Sequence, residues 1–548
     1  MRGMMMSEQL TLTAILEHAE QNHGASEIVS VDNDRSLHRY TFRDMAARTR
    51  RAAQALGRRG VRDGDRVGTL AWNNWRHLEL YYAISCMGAI CHTLNPRLSP
   101  EQIVHIAHHA EDALLCFDPA FIRLVEQIAP SLPSVRHFIA LCREEELPET
   151  SLTNLLFYDT LLAREDGRYA WPRLDERTAC SLCYTSGTTG HPKGVLYDHR
   201  SQLLHAMAIS GADWLAVRAR DAILPLVPMF HACAWGLPYV SLMNGAKLVL
   251  PGRHLDGASL HQLIHAEGVT MAAAVPTVWQ DLLSVVEARG STFGTLDRAA
   301  IGGSNAAPSL IRTFEEKYDV RVIHGWGMTE LCPVGSLDAL KRHMLAWPAE
   351  RRYAIQSLHG RPLFGIRMRI VDESGAELPH DGFATGYLQV RGLWVAGGYF
   401  KQESPGSFTE DGWFNTGDVA TIDPDSYMRL TDREKDVIKS GGEWISSIDV
   451  ESAALSHESV QEAACIAVPH SRWGERPLLL VVLKQGARFD RTSLLGAFHG
   501  RIAKWWIPDD VVVMESLPHS ATGKLLKRTL REQFKDHAWP GDSRRPSE

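Results

Sequence analysis

Short apolar runs alternate along most of the chain with longer amphipathic segments. The short runs predict strands at residues 66–71, 89–94, 179–184, 269–274, 299–302 and 320–323. The longer segments predict helices at residues 75–87, 277–286 and 308–318, with Gly88 ending the first and Pro276 opening the second. This alternation is typical of βα units around a largely parallel sheet, so the predicted fold class is α/β.

The pattern changes beyond residue 360 to shorter strands and turns. Residues 431–440 are interpreted as a charged turn. After it, a predicted helix at 448–455 is mixed with strands at 463–468, 478–483 and 511–514. We therefore predict a large N-terminal domain of parallel and mixed sheets flanked by helices, residues 1–434, and a small α+β C-terminal domain, residues 435–548. The tail from residue 538 is expected to be disordered.

Length and composition support two domains and exclude several functions. The chain has 548 residues, 45% hydrophobic and 22% charged, which is more than one core usually holds. Its 58 basic residues are outnumbered by 65 acidic ones and form no long run, so nucleic acid is not a predicted partner. Nine cysteines, an odd number scattered from Cys86 to Cys465, favour a reducing compartment, and the predicted location is cytoplasmic.

One stretch, residues 222–246, has no formally charged side chain and is long enough to cross a bilayer. It contains Pro225, Pro228 and Pro238, which would break a membrane-spanning helix. We interpret it as a buried strand, loop and helix, and predict no integral membrane segment.

The strongest local signal is a glycine- and threonine-rich loop, YTSGTTGHPKG at residues 184–194, directly after a predicted strand. Its glycines permit backbone conformations that turn amide groups inward, its hydroxyls add donors, and Lys193 adds a positive charge. Such a loop can cradle phosphates, although it lacks the ending of a Walker A loop. A solvated turn is the alternative interpretation.

A second signal is HGWGMTE at residues 324–330. Trp326 offers a flat ring on which a purine could stack, Thr329 can donate to a phosphate, and Glu330 is a hard oxygen ligand suited to magnesium. The alternative is a structural tryptophan in a tight turn. Ligands of open α/β sheets lie beyond the carboxyl ends of strands, so this segment, residues 302–306 and the glycine- and threonine-rich loop are expected to converge on one cleft.

Further motifs lie nearer the C-terminus. WFNTGD at residues 413–418 is followed by DREKD at 432–436 and KSGGEW at 439–444, and Asp418 and Arg433 could hold ribose hydroxyls. LPHSATGK at residues 517–524 ends in Lys524, which alone would be taken for a surface residue.

The order and spacing of these motifs resemble those of the acyl-adenylate-forming superfamily, which includes acyl-CoA synthetases, luciferases and the adenylation domains of peptide synthetases. The resemblance covers residues 12–534. PMFHACAWG at 228–236, SGGEWIS at 440–446 and KWWIP at 504–508 are similar to the medium- and long-chain fatty-acid–CoA ligase branch. Trp326 departs from the more usual tyrosine, and Leu331 and Cys332 alter the segment after Glu330, which leaves the chain length of the acid open.

The resemblance implies an AMP-forming acid–thiol ligase that uses ATP, Mg²⁺ and coenzyme A. A carboxylate would attack the α-phosphorus of ATP to give acyl-AMP and pyrophosphate, and the thiol of coenzyme A would then displace AMP. Two anions must meet in the first step, which cations and oriented donors make possible. Homodimers occur among relatives, so a homodimer is a further expectation.

The resemblance also implies site residues, carried over motif by motif. ATP or AMP contacts are expected from Thr185, Ser186, Gly187, Thr188, Thr189, Gly190, Lys193, Gly302, Gly303, His324, Gly325, Trp326, Thr329, Asp418, Arg433, Lys435, Lys439 and Trp444. Thr185 and Glu330 are expected to position magnesium. His231, Ala232, Trp235 and Gly236 are expected at the acyl pocket and its gate, and Gly441 and Gly442 along the coenzyme A tunnel. The implied catalytic residues are Lys524, Thr329, Glu330 and His231.

Lys524 presents a geometric conflict that suggests a mechanism. Its ammonium must contact the carboxylate and the α-phosphate during adenylation, yet the thiol later needs access to the same carbonyl carbon. The resemblance implies that the small domain is mobile and rotates about a hinge at Lys435, withdrawing Lys524 between the two half-reactions.

Residues 230–235, which are expected at the acyl pocket, indicate the class of acid. Peptide-synthetase relatives typically carry an aspartate at the position of His231, which holds a substrate ammonium, and no carboxylate lies in this segment. Trp235 is placed where relatives have an aromatic gate, although a core tryptophan is the alternative. Each methylene contributes only about 0.8 kcal/mol of burial, so a broad chain-length preference is expected.

Four functional hypotheses follow. The leading one is a ligase for medium- or long-chain fatty acids. The second is a ligase for another carboxylic acid, such as an aryl acid or a short sulfur-containing acid. The third passes acyl-AMP to a carrier protein, against which Gly441 and Gly442 argue. The fourth is a non-catalytic sensor of AMP or acyl-AMP, against which Lys524, Glu330 and the full phosphate loop argue.

Overall fold

The structure, a computed structural model, describes residues 1, 3–185, 192–441, 443–519 and 525–540. In chain order its strands are β1 (Glu27–Val31), β2 (Leu37–Thr41), β3 (Arg66–Leu70), β4 (Ile90–Thr93), β5 (Leu114–Phe117), β6 (His137–Ala140), β7 (Leu155–Phe157), β8 (Ala179–Tyr184), β9 (Gly194–Asp198), β10 (Ala222–Pro225), β11 (Lys247–Leu250), β12 (Met271–Ala274), β13 (Arg298–Ile301), β14 (Arg321–Gly327), β15 (Val334–Leu337), β16 (Arg361–Pro362), β17 (Ile366–Val371), β18 (Gly386–Gly392), β19 (Phe414–Ile422), β20 (Met428–Arg433), β21 (Ile438–Ser440), β22 (Glu443–Ile445), β23 (Val460–His470), β24 (Gly474–Leu483) and β25 (Asp510–Val513).

The helices begin where the sequence supplies caps. Ser99 forms a capping box with Gln102 before α4, and Pro276 occupies the first turn of α10. In chain order the helices are α1 (Leu12–His23), α2 (Phe42–Arg58), α3 (Trp75–Cys86), α4 (Pro100–Ala110), α5 (Ile122–Ile128), α6 (Tyr158–Ala163), α7 (His199–Ile209), α8 (Leu237–Asn244), α9 (Gly257–Glu267), α10 (Pro276–Ala288), α11 (Pro308–Arg312), α12 (Ala349–Gln356), α13 (Ser447–Leu455), α14 (Arg491–Gly496) and α15 (Lys527–Gln533).

Two large sheets form the first part of the molecule. One has the strand order β7-β6-β5-β3-β4-β8-β9 and is parallel except for the β8–β9 pair. The other has the order β16-β15-β14-β13-β12-β10-β11-β1-β2, with a parallel centre and antiparallel edges. Strand β12 shows why the centre is buried: Met271 and Ala273 pack into one apolar cluster, and Ala272 and Ala274 into another.

Two smaller sheets follow. Strands β17 to β20 form an antiparallel sheet in sequence order. After the turn at residues 434–436, the sheet order is β22-β21-β24-β23, with β25 parallel to β24. The predicted α/β fold class, with parallel and mixed sheets followed by a smaller α+β part, is confirmed.

Several predicted elements have different bounds. Strand β14 runs to Gly327 rather than ending at residue 323, because β15 pairs with its last residues. A Cβ on Gly327 would lie 2.1 Å from the carbonyl oxygen of Pro333, so only glycine permits this pairing. The predicted helix at 308–318 is α-helical over Pro308–Arg312 and continues as a wider turn over Thr313–Lys317.

Two predictions near the C-terminus differ from the structure. Residues 431–440 are mostly strand, since β20 extends to Arg433 and β21 begins at Ile438. The tail is not disordered from residue 538, because Trp539 is buried in an apolar cluster and its Nε1 donates to the carbonyl oxygen of Pro469 at 2.8 Å. The buried indole contributes apolar area that stabilises residues 538–540 against this cluster.

The apolar stretch at 222–246 folds into β10, a turn and α8, as predicted. Across the part of the chain that the structure describes, no helix has both the length and the apolar character needed to cross a membrane.

Candidate active site

The glycine- and threonine-rich loop leaves the sheet between β8 and β9, and its neck is closed by two hydrogen bonds. The backbone N–H of Thr185 donates to the carbonyl oxygen of Lys193 at 2.9 Å, and the N–H of Lys193 donates to Thr185 Oγ1 at 3.2 Å. Five predicted phosphate contacts lie outside the described residues: Ser186, Gly187, Thr188, Thr189 and Gly190. The closed neck nevertheless fixes where the loop begins and ends.

Thr329 and Glu330 lie in a short turn directly after β14 and are 8% and 5% exposed. Tyr197 of β9 donates its hydroxyl to the carbonyl oxygen of Thr329 at 2.5 Å, and Tyr399 donates to Glu330 Oε1 at 2.6 Å. Burial and the charge of Glu330 raise the pKa of Tyr399, so its hydroxyl remains a donor. The strand that follows the glycine- and threonine-rich loop is therefore bonded directly to the Thr329–Glu330 turn.

Asp418 of β19 is 2% exposed and receives one donor on each oxygen. Trp326 Nε1 donates to Oδ2 at 2.9 Å, and Arg433 Nε lies 2.7 Å from Oδ1. A buried carboxylate is costly unless it is paired, and these two donors supply the pairing. Because the indole N–H of Trp326 is bonded to Asp418, the two residues form one unit, and the contact of the Trp326 ring with adenine stays a prediction.

The turn between β10 and α8 carries the predicted acyl gate and has an unusual backbone. Ala232, Cys233, Ala234 and Trp235 all have positive φ, between 44° and 54°. This left-handed conformation costs L-residues roughly 1–2 kcal/mol each, and such strain often lies at functional sites. His231 is half-buried at the start of the turn.

The ring of Trp235 lies against the segment that follows β13. A Cβ on Gly302 would lie 2.9 Å from Trp235 Cη2, and one on Gly303 would lie 4.0 Å from Cζ2. A side chain at Gly302 would also crowd the carbonyl oxygen of Gly325 at 3.3 Å. The gate turn, the Gly302–Gly303 pair and the end of β14 therefore meet at one place.

His324 is fully buried and uses both ring nitrogens in packing. Its Nδ1 donates to the carbonyl oxygen of Leu358 at 2.8 Å, and its Nε2 accepts the backbone N–H of Ala306 at 3.4 Å. Burial lowers the pKa of His324 to about 4, so the ring is neutral. Its ring nitrogens are therefore occupied by the protein, and a nucleotide contact would have to use its backbone.

The predicted hinge and coenzyme A residues lie after β20. Lys435 is exposed in the turn at 434–436, and Lys439 Nζ lies 5.9 Å from the ring centroid of Trp444. Gly441 has φ +60° and donates its N–H to the carbonyl oxygen of Trp473 at 2.8 Å. Gly442 and Lys524 lie outside the described residues.

The described residues could hold magnesium together with ATP but do not form a complete metal site by themselves. Among them, no group of three or more histidines, cysteines, aspartates and glutamates could hold a metal ion. Glu330 Oε1 is held by Tyr399, whereas Oε2 has no hydrogen-bond partner within the described ranges. One oriented carboxylate oxygen suits Mg²⁺, which commonly takes its other ligands from phosphates and water.

Two residues of this candidate site lie in none of the predicted motifs. Tyr197 and Tyr399 connect the phosphate loop to Thr329 and Glu330, and their partners lie 132 and 69 positions away along the chain. No local motif marks such long-range hydrogen bonds. The only available signal was the position of Tyr399 after two glycines, which does not identify its partner.

Comparison with known proteins gives consistent matches. The family model described as AMP-binding enzyme matches residues 16–400, and the AMP-binding enzyme C-terminal domain matches residues 449–524. The chain is 48% identical to the 3-methylmercaptopropionyl-CoA ligase of Ruegeria lacuscaerulensis, covering 98% of this chain and 99% of the relative. It is 46% identical to the medium-chain-fatty-acid–CoA ligase of Ectopseudomonas oleovorans, covering 98% of each.

The fold also matches solved structures. The anthranilate CoA ligase AuaEII in complex with anthranoyl-AMP superposes with a TM-score of 0.85 over 95% of this chain and 97% of that chain. The identity is 24%, so this likeness supports the fold alone.

Proposed function

The chain belongs to the family of AMP-binding enzymes and is an AMP-forming acid–thiol ligase that uses ATP, Mg²⁺ and coenzyme A, and we propose that its acid is a medium- or long-chain fatty acid. One observation carries the site assignment: a continuous chain of contacts runs from the neck of the phosphate loop through Tyr399 and Glu330. Trp326, on the strand before the Thr329–Glu330 turn, donates its indole N–H to Asp418 of β19.

The relatives support the choice of acid. One is named for a medium-chain fatty acid and another for 3-methylmercaptopropionate, and both are acids with an aliphatic chain. The buried gate turn offers the small apolar residues Ala232 and Ala234 and no carboxylate. A short sulfur-containing acid is the second candidate, favoured by the 48% identity to the 3-methylmercaptopropionyl-CoA ligase.

The proposed chemistry divides among this chain's own residues. Lys193 and Lys524 supply positive charge where the carboxylate and the phosphates meet, and Thr329 donates to the α-phosphate. Asp418, held by Trp326 and Arg433, accepts from the ribose hydroxyls. Magnesium, when bound with ATP, would neutralise charge on the phosphate oxygens, and Glu330 would hold it.

We also propose a boundary at residues 434 and 435, with rotation about Lys435 between the half-reactions. The exposed turn at 434–436 separates β20 from β21 and is a suitable place for a change of φ and ψ. The homodimer stays a prediction of the resemblance.

A carboxylate panel tests the proposed acid. Purified protein is incubated with ATP, Mg²⁺ and acids of increasing chain length, aryl acids or thioether acids, with and without coenzyme A. We expect acyl-CoA formation with the highest kcat/KM for aliphatic acids of medium or longer chains, because each buried methylene adds about 0.8 kcal/mol. A clear maximum with a short thioether acid would support the second candidate. Pyrophosphate release without a thioester would contradict coenzyme A as acceptor.

Replacing Trp326 by phenylalanine tests the ribose site. The variant keeps an aromatic ring but removes the N–H that donates to Asp418 Oδ2. A hydrogen bond to a charged group contributes about 1.5–3 kcal/mol, so the KM for ATP should rise by roughly 10- to 100-fold while the KM for the acid changes little.

The matched control is Trp539→Phe, which removes an indole donor to the carbonyl oxygen of Pro469 rather than to Asp418. It should leave both KM values unchanged. If Trp326→Phe behaves like this control, Asp418 does not depend on Trp326 for nucleotide binding.

A further inference from the structure

One segment, residues 394–401, contacts several parts of the site at once, and we call it the strap. Its sequence, WVAGGYFK, lies between β18 and β19. It belongs to none of the motifs that carry the predicted nucleotide contacts. Its contacts nevertheless fall on the metal carboxylate and on the neck of the phosphate loop.

The first set of contacts reaches Glu330. The backbone N–H of Ala396 donates to the carbonyl oxygen of Glu330 at 2.8 Å, and the hydroxyl of Tyr399 donates to Glu330 Oε1 at 2.6 Å. The strap therefore holds both the backbone and the side chain of this residue. With Oε1 bonded, the rotation of the carboxylate is restricted and the direction of Oε2 is set.

The second set of contacts reaches the phosphate loop. The ammonium of Lys193 lies 4.6 Å from the ring centroid of Tyr399, within the range of a cation–π contact. The next residue, Phe400, donates its backbone N–H to the carbonyl oxygen of Gly194 at 2.8 Å. Tyr399 thus touches the proposed metal ligand with its hydroxyl and the proposed phosphate-binding cation with its ring.

The far end of the strap is fixed to α4. Lys401 Nζ lies 2.9 Å from Glu111 and 3.3 Å from the carbonyl oxygen of His109. His109 in turn bonds the hydroxyl of Tyr184, the last residue of β8, at 2.6 Å. The strap is therefore tied to the strand that enters the phosphate loop as well as to the strand that leaves it.

We propose that Tyr399 is a positioning residue that orients Glu330 for magnesium through its hydroxyl and orients Lys193 for the phosphates through its ring. The proposal rests on the proposed roles of Glu330 and Lys193. It makes the relative positions of Glu330 and Lys193 depend on one side chain. The ring centroids of Tyr399 and Phe408 lie 6.2 Å apart, so packing explains why an aromatic ring is present. Packing does not explain why this ring carries a hydroxyl.

Two substitutions separate the functions of Tyr399. Tyr399→Phe keeps the ring beneath Lys193 and removes the donor to Glu330, whereas Tyr399→Leu removes both. The readout is equilibrium binding of ATP in the presence of Mn²⁺, measured by calorimetry and by the electron paramagnetic resonance of free Mn²⁺. Binding of ATP in EDTA measures the contribution that does not depend on metal.

Tyr399→Phe should weaken binding of Mn²⁺·ATP by about tenfold, as supporting residues of metal ligands typically do, and leave metal-free ATP binding within about twofold. Tyr399→Leu should weaken both. In a double variant with Glu330→Gln, the phenylalanine substitution should add little further loss, because its effect passes through Glu330.

The matched control is Tyr158→Phe, which removes a tyrosine donor to Glu79 Oε2 at 2.9 Å between α6 and α3. It should lower the unfolding temperature without changing Mn²⁺·ATP binding. Mn²⁺·ATP binding by Tyr399→Phe within about twofold of the unsubstituted protein would overturn the inference. If Glu330→Gln weakens binding and Tyr399→Phe does not, only this inference fails, whereas unchanged binding in Glu330→Gln overturns the role of Glu330 as well.

Discussion

Replacement of Lys524 by alanine is expected to lower the rate of acyl-AMP formation by about 10²- to 10³-fold or more, and to leave thioester formation from supplied acyl-AMP largely intact. The reason is electrostatic. The carboxylate and the α-phosphate repel each other, and Lys524 is the cation proposed to lie between them. The second half-reaction needs that position for the thiol, so the ammonium contributes little to it.

The two half-reactions are measured separately. Pyrophosphate exchange into ATP reports adenylation, and release of AMP from synthetic acyl-AMP with coenzyme A reports thioesterification. Lys484→Ala is a matched control, since Lys484 is an exposed lysine of the same C-terminal region. Equal losses in both half-reactions of Lys524→Ala would contradict the rotation of the small domain about Lys435.

Replacement of Gly441 by leucine should have the opposite effect to Lys524→Ala: it should impair thioester formation and spare adenylation. Gly441 has φ +60°, and a Cβ there would lie 3.0 Å from Trp473 Cε3, so no side chain fits without displacing the ring. A side chain in the proposed tunnel should lower thioester formation by about 100-fold, because a displacement of about 1 Å in the reacting groups has effects of this size. Pyrophosphate exchange should persist.

Gly486→Leu separates the tunnel from backbone strain. Gly486 has φ +81° and a Cβ there would meet nothing within 4 Å, so the substitution imposes the same kind of strain in open space. It should leave both half-reactions unchanged. The tunnel assignment would be wrong if Gly441→Leu lost adenylation as well, or if Gly486→Leu matched its loss of thioester formation.

The fold was predictable from the sequence where one local pattern determines an element. Strand β8 has the predicted bounds, and α10 begins at Pro276 as expected, because an apolar run and a proline act over a few residues. The end of β14 was not predictable, since it depends on pairing with β15 and on the absence of a Cβ at Gly327. Trp539 was assigned to a disordered tail because its partner, Pro469, is distant in sequence.

The candidate site likewise combines residues that local motifs predict with contacts that no local motif predicts. Glu330, Asp418 and Lys193 could be predicted as site residues because each lies in a motif whose residue types suit a phosphate, a sugar or a metal. Their supporting contacts were not found, since the Trp326–Asp418 and Tyr399–Glu330 hydrogen bonds join separate segments. The left-handed turn at residues 232–235 also has no sequence signature, because alanine, cysteine and tryptophan rarely adopt positive φ.

A crystal structure with Mg²⁺ and a non-hydrolysable ATP analogue tests the central claim most directly. We predict phosphates lying between the 185–194 loop and Glu330, with the ribose hydroxyls bonded to Asp418. Nucleotide bound away from both the loop and Glu330 would contradict the whole assignment of the site.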